Sequence, residues 1–380
     1  MASSQANYLK ELKSGGIVII KDDVAQNPRS YLCSSASLSS EKQMARLIDL
    51  AGGIVCVAIT EARALELELP SMNPLQKNSQ FDFTTSVEAR EGITTGISAA
   101  DRAKTCREVA SSKKPRLDIV TPGHIFPVKS SNGGVLVRSA IPEAAVDLMR
   151  LAEAGEAAVF CHLLNEKAEF AEPEQVEELS RSQNIPIIGI TEILENMMTK
   201  GGLIEPIAEA SLPLHEHPSF RAIAFKSKLD GTEHLVLAKG EFDLKGGKEI
   251  SETVTVRVQA ENRLGDLFGP SNQSSRKIIN DALSSISDSP LGLFVYIRHR
   301  RKRLLQRQIK MIAKDCYHDS SEPVENGKVS QLREIGIGAE ILRLLGVRKI
   351  RLLSNKKPNL ATLSAFNLEL DELVAIGGDS

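Results

Sequence analysis

Cysteine is scarce and scattered. The chain of 380 residues holds five, Cys33, Cys56, Cys106, Cys161 and Cys316, and no C-x-x-C pair. An odd, unclustered set speaks against a disulfide framework and against a cysteine-rich structural zinc site. Cys56 in "GIVCVAIT" and Cys161 in "AAVFCHLL" stand in apolar runs and are expected to be inert core residues. "CYHD" at 316–319 offers one Cys/His pair in a polar stretch, which is expected to be loop. Long apolar runs are also lacking. None approaches a bilayer span, so no membrane association is expected. The start, "MASSQANYLKELKSGG", has no apolar core of signal-peptide length, and a cytoplasmic protein is expected. Nor does one sign of charge dominate. A net charge of −2 leaves no global field to draw in nucleic acid or membrane.

What is present is ordinary for a globular protein: 42% apolar and 25% charged residues. A chain of this length predicts two domains. "GGIVII" and "GIVCVAIT" read as buried strands. Between them "SSEKQMARLIDLAGG" reads as a helix with a serine cap and a glycine stop. "IPEAAVDLMRLAEAG" reads as a helix opened by Pro142 and closed at Gly155. "AAVFCHLL", "EPEQVEELSRSQ" and "IPIIGITEILENMM" continue as strand, helix and strand–helix, so helices should cover a sheet. Near residue 205 the pattern changes to strands joined by turns, and helix–strand alternation resumes from "SSRKIINDALSSIS". The domain boundary is placed within "TKGGLIEPIAEASLPL", giving domains 1–205 and 206–380.

One stretch raises a question of chemistry. "KDDVAQNPRSYL" (21–32) follows the first strand and opens on two aspartates, Asp22 and Asp23, yet offers no further acid. A strand ending in paired acids is a common place for a metal or a polar substrate.

"EGITTGISAADRAKT" and "TPGHIFPVKSSNGGVLVRSAIPEAAVDLMRLA", with "GGIVCVAIT", resemble 3,4-dihydroxy-2-butanone 4-phosphate synthase over about residues 8–200. "IGAEILRLLGVRKIRLLSN", "TVRVQAENRLGD" and "GLFVYIR" resemble GTP cyclohydrolase II less strongly. The order is that of the bifunctional riboflavin biosynthesis family. The resemblance implies an α+β chain, with a synthase-like α/β domain followed by a cyclohydrolase-like α/β domain. It also implies a homodimer through the N-terminal domain.

The synthase reaction removes a carbon of ribulose 5-phosphate as formate, using acid–base groups and magnesium. In the family the acids come from D-D-x-x-R-E-x-E-G-D. Here Asp22 and Asp23 match. Gln26, Asn27, Arg29 and Tyr31 replace the arginine, the metal-binding glutamate, the second glutamate and the last aspartate. His124 in "PGHIF" matches a catalytic histidine, and Arg138 a phosphate-binding arginine. Ile141 and Pro142 replace the histidine and threonine of R-x-G-H-T-E-A, ahead of Glu143. His162 in "CHL" replaces a catalytic glutamate. "TTGISAADR" is intact, so Thr95 and Asp101 are candidate pocket residues. The alternative is that Thr94, Thr95, Ser98 and Asp101 only build a tight loop and helix start.

The cyclohydrolase uses zinc held by three thiolates. At those places stand Asn262, Asn272 and Ser274, which are poor zinc ligands. Arg257, Glu261 and Arg333 match triphosphate-facing residues, while Gln331 stands for an aspartate base. The family's R-Q-E-G-R loop is replaced by "RHRRKR" (298–303), beginning at Arg298. This patch reads as solvated or phosphate-binding before nucleic-acid-binding, since only Phe294 and Tyr296 lie near it. No metal cofactor is therefore expected, and both standard activities are expected to be absent.

Three functions remain open. The first is a regulatory or scaffold protein linked to flavin metabolism that binds a phosphosugar or purine nucleotide. The second is a metal-free enzyme using His124, His162 and Glu143. The third is the ordinary bifunctional enzyme.

Overall fold

A computed structural model describes residues 2–25, 27–73, 81–111, 113, 115–214, 220–244, 249–268, 275–298, 309, 327–358 and 360–377. The chain separates into two compact units, with the main division between Met197 and Met198. The expected boundary at 205/206 lies inside a strand. Ile204–Leu212 pairs with Phe220–Ser227 from Ile204↔Ser227 to Leu212↔Phe220, so a cut at 205 would split one hydrogen-bonded ladder.

The first unit is built on a mixed sheet. Its strands are β1 (Ile17–Lys21), β2 (Ser30–Ser35), β3 (Cys56–Thr60), β4 (Asp82–Phe83), β5 (Val87–Ala89), β6 (Ile119–Ser130), β7 (Ala158–His162) and β8 (Ile187–Gly189). They run in the order β4-β6-β3-β7-β2-β1-β8, with β5 also paired to β6. β1, β3 and β7 are apolar and buried almost throughout, as strands covered on both faces must be. β2, "SYLCSS", carries no apolar periodicity, and its place in the sheet was not expected from sequence. It is buried at every position: it lies inside the sheet between β1 and β7, and the helices Ala2–Lys13, Glu41–Ala51 and Ile141–Leu151 pack against it.

The helices follow their end signals. Glu41–Ala51 is capped by Ser40, with a reciprocal box to Gln43, and stops at Gly52 with φ 72°. Ile141–Leu151 starts with Pro142 in its first turn but ends at Ala152, short of Gly155. Ile17, Leu32, Leu47, Val57 and Val159 are among the core residues that join the Glu41–Ala51 helix to the sheet.

The second unit carries a seven-stranded sheet. Its strands are β9 (Ile204–Leu212), β10 (Phe220–Ser227), β11 (Glu233–Lys239), β12 (Val254–Ala260), β13 (Gly292–Ile297), β14 (Lys349–Leu353) and β15 (Glu369–Val374). β9, β10, β11 and β13 pair antiparallel, whereas β12 pairs parallel with β13 and β14, and β14 with β15. This is the expected change from turn-linked strands to helix–strand alternation. The helix Arg276–Ser287 packs Ala282 and Ile286 into the core with Phe294 and Leu353. Among the described residues no helix is long and apolar enough to cross a membrane.

Candidate functional site

Register decides what meets at one end of the first sheet. β1 and β2 form a hairpin with Lys21 opposite Ser30, so "DDVAQNPR" is its loop. β2 pairs antiparallel with β7 and sets Tyr31 opposite His162. β8 runs parallel to β1 and brings Gly189 beside Lys21. Cys56 and Phe126, paired between β3 and β6, lie at the same end.

The two aspartates that open the loop serve the backbone. Asp22 is buried and accepts from Val24 N at 3.4 Å and Ala25 N at 3.0 Å. Burial pushes its carboxyl above the usual range, against those hydrogen bonds. Asp23 Oδ1 accepts at 3.0 Å from Thr191 N, in the first turn of the helix Ile190–Thr199. This is where a carboxylate best satisfies orphan N–H groups. Gly189 allows the approach, since a Cβ there would stand 2.5 Å from Asp23 Oδ2. Gln26 lies outside the described residues, and Asn27 is exposed.

Tyr31 and His162 face each other ring to ring, with centroids 4.6 Å apart. Phe81 lies 6.4 Å from Tyr31 and 5.8 Å from His162, and stacks on Phe160 at 6.0 Å. Phe170 lies 5.5 Å from His162 and carries the Arg29 guanidinium 3.9 Å over its ring. Tyr31 is fully buried, and burial, aided by the Asp22 charge, pushes its hydroxyl up to about 12. Burial, then the Arg29 charge, holds His162 below its ordinary value, so it is neutral at pH 7. The depressed value makes His162 a source of stability that is complete above the ordinary histidine range and lost as pH falls through it. Chemical denaturation from pH 8 to pH 5 should show this loss, and His162→Gln should flatten that part of the profile.

A cavity of about 840 Å³ opens beside these rings. Its wall includes Phe81, Phe83, Phe126, Phe170 and His162. Asp82 is its one described acid, held by Ser71 Oγ at 3.1 Å and by Lys129 Nζ at 3.2 Å.

The remaining candidates of this unit do not all join the cavity. His124 hydrogen-bonds through Nδ1 to Glu88 Oε1, a partner that sequence reasoning missed because nothing in "SVEAR" marks it. Gly96 lies against the pair, at φ 79°, where a Cβ would strike Glu88. Asp101 closes the loop before its helix by accepting from Thr94 N, Thr94 Oγ1 and Gly96 N at 3.2, 2.9 and 3.1 Å. Partial desolvation opposes its charge, but these donors outweigh it and hold the carboxyl below the usual range. The loop-building alternative thus describes Thr94 and Asp101, while Thr95 is exposed.

Arg138 pairs with the fully buried Glu143 at 2.6 Å, beyond Ser130 at the C-terminal end of β6. Ser131 N also donates to Glu143 Oε1 at 2.6 Å. The expected phosphate-binding arginine thus has an internal carboxylate as a partner. His124, His162 and Glu143, grouped from sequence as an acid–base set, keep three separate sets of partners within the chain.

In the second unit Arg257 donates to Leu353 O at 2.9 Å and Gln259 Oε1 at 2.7 Å. Ala260 pairs with Ile297, which brings Glu261 beside Arg298 at the carboxyl ends of parallel strands, the usual crevice of an open α/β sheet. Glu261 Oε1 is 3.1 Å from Arg263 Nε and 3.8 Å from Arg298 Nε. Asn262 spends its side chain as an N-cap, accepting from Gly265 N at 3.2 Å. Arg333 is half-buried on the helix Gly327–Leu344. Asn272, Ser274, the "CYHD" stretch and the basic run after Arg298 lie outside the described residues.

Comparison with known proteins accounts for both units. The family model of 3,4-dihydroxy-2-butanone 4-phosphate synthase matches residues 6–196, and that of GTP cyclohydrolase II matches residues 205–375. The "Probable bifunctional riboflavin biosynthesis protein RIBA 2, chloroplastic" of Oryza sativa subsp. japonica is 34% identical, over 97% of this chain and 66% of its own length. The "Riboflavin biosynthesis protein RibBA" of Aquifex aeolicus is 33% identical, over 97% of this chain and 91% of its own. A crystal structure described as RibBX, a two-domain 3,4-dihydroxy-2-butanone 4-phosphate synthase from A. baumannii, superposes with a TM-score of 0.76 at 28% identity. It covers 97% of this chain and 99% of that one. This chain therefore belongs to the bifunctional riboflavin biosynthesis family, with a 3,4-dihydroxy-2-butanone 4-phosphate synthase domain followed by a GTP cyclohydrolase II domain.

Proposed function

We propose that this family member does not run the metal-dependent reactions and acts as a ligand-binding, regulatory or scaffold protein linked to flavin metabolism. The observation that carries the reading is the Tyr31–His162 contact. Two rings 4.6 Å apart stand where the family pattern places acids, and both are packed into an aromatic wall. Magnesium takes oxygen ligands, chiefly carboxylates. The two aspartates that remain are engaged by Val24, Ala25 and Thr191, and Arg29 adds a positive charge to the same loop. These residues do not fit a magnesium site. In the second unit the Asn262 amide, already a helix cap, does not fit a zinc site that needs a thiolate. The reading includes a homodimer through the N-terminal domain, which sedimentation velocity would test.

A second reading is the ordinary bifunctional enzyme, and the comparisons favour it over the first. The rice and Aquifex relatives are named for riboflavin biosynthesis, and the two-domain structure from A. baumannii is called a synthase. One pair of assays separates the readings. Purified protein with magnesium and ribulose 5-phosphate should release no formate above the no-enzyme rate. With zinc and GTP it should release no pyrophosphate. Turnover in either assay at an enzyme-like rate would sink the first reading.

A further inference from the structure

The cavity of the first unit has a wall that suits a different ligand from a phosphosugar. Four phenyl rings, Phe81, Phe83, Phe126 and Phe170, line it with the neutral imidazole of His162. Eleven phenylalanines and no tryptophan serve the whole chain, so four rings at one cavity are a concentration. Phe81 and Phe83 stand 5.8 Å apart at 41°, a geometry that presents both a face and an edge. Among the described lining residues none is a lysine or arginine. Asp82, the one acid among the described lining residues, is neutralised by Lys129 from outside the lining. Among the described residues the nearby cations, Arg29 over Phe170 and Lys129 on Asp82, are already paired and stand outside the lining, so a phosphate dianion would meet no lining cation and would sit near a carboxylate. Polar side chains among the described lining residues are few: Asn73, Asp82 and His162. An apolar wall with a few converging polar groups, at about 840 Å³, matches small-molecule cavities in size and character. The mouth carries apolar side chains that solvent reaches: Ile54 is 62% exposed, Met72 67% and Phe170 39%.

We propose that this cavity binds a planar heteroaromatic ligand of two or three fused rings, gripped between phenyl faces and recognised along one polar edge by Asn73, Asp82 and His162. The phosphate, if the ligand carries one, lies outside the cavity and adds little. This rests on the reading that the pocket binds a ligand without metal chemistry. Of the two expected ligand classes, a phosphosugar and a purine nucleotide, only the second has such a ring system. Phe170 is the exposed wall of the grip, and Arg29 over its ring holds it in place.

Riboflavin, a neutral three-ring fluorophore, is the probe, with flavin mononucleotide as its phosphorylated counterpart. Titrating the full-length protein into each should quench flavin emission saturably, with affinities within about threefold of each other. Phe170→Ala should weaken both about tenfold, the size of a lost ring-stacking contact. Because Phe170 is partly exposed, the variant should keep the wild-type circular dichroism. Ile54→Glu, at an exposed position of the mouth, is the second variant and should weaken binding without unfolding. Ribulose 5-phosphate should not displace the flavin. The proposal is overturned by an absence of saturable quenching up to the solubility of riboflavin. It is equally overturned by unchanged affinity in both variants, or by competitive displacement with ribulose 5-phosphate. Sedimentation velocity covers the remaining outcome. If Phe170→Ala dissociates a dimer and no flavin binds, the apolar mouth is an interface between copies and the proposal fails. Formate release in the separate assay would defeat the regulatory reading and leave flavin binding standing, so the two can fail independently.

Discussion

Tyr31→Asp, which restores the acid of the family pattern, is expected to destabilise the first unit by about 3–5 kcal/mol. The ring is fully buried and packs on Phe81, Phe160 and His162. Aspartate there loses those contacts and places a charge among apolar groups, beside the carboxyl of Asp22. Arg29 would offset only part of this, because its guanidinium is stacked on Phe170. Urea denaturation should show the loss as a lower midpoint at similar slope. Tyr31→Phe keeps the packing and should stay within about 1 kcal/mol of wild type. If Tyr31→Asp were as stable as wild type, the aromatic wall would not be a packed core, and the argument that this position has been rebuilt would fail. The experiment also bears on function, since a single reversion then cannot recover a metal site.

Arg138→Met is the second large effect. Glu143 is fully buried, and Arg138 is its only cationic partner among the described residues, at 2.6 Å. Removing one member of a buried pair leaves an uncompensated charge, so a loss of about 3 kcal/mol at pH 8 is expected. The sign of its pH dependence follows from Glu143. Burial raises its carboxyl above the usual range even with Arg138 present, and removing the cation raises it further. A raised acid binds its proton more tightly in the folded state. Its contribution is therefore most favourable below the ordinary carboxylate value and declines as pH rises through the folded value. The gap between Arg138→Met and wild type should narrow at pH 5, where Glu143 can take up a proton, and widen at pH 8. A gap that is constant with pH would mean that Glu143 does not answer to Arg138. Glu143→Gln should remove the pH dependence, because an amide keeps the shape without the charge.

The paired aspartates show where sequence and structure part. Residue types alone placed Asp22 and Asp23 at a strand end and showed that the acids expected after them are replaced by Asn27, Arg29 and Tyr31. Composition cannot show that Asp22 closes its own loop, or that Asp23 reaches Thr191, separated by 168 positions. Glu88 was invisible for the same reason: its partner His124 comes from another strand, through the pairing of β5 with β6. Ring clustering was hidden too, because Tyr31, Phe81, His162 and Phe170 lie on separate segments with no shared periodicity.

The sequence by itself determined the two-domain order, the capped helices, the apolar central strands and the family. These depend on local patterns: a serine before a helix, a proline in its first turn, unbroken apolar runs and ordered motifs. The tertiary structure alone decided that "SYLCSS" is a central strand, and that its register sets Tyr31 against His162. It also decided that Arg138 is paired with the buried Glu143. The physical reason is common to all three. Pairing register and burial are properties of neighbours brought together from distant parts of the chain, and a side chain's chemistry is committed only when its partner is in reach.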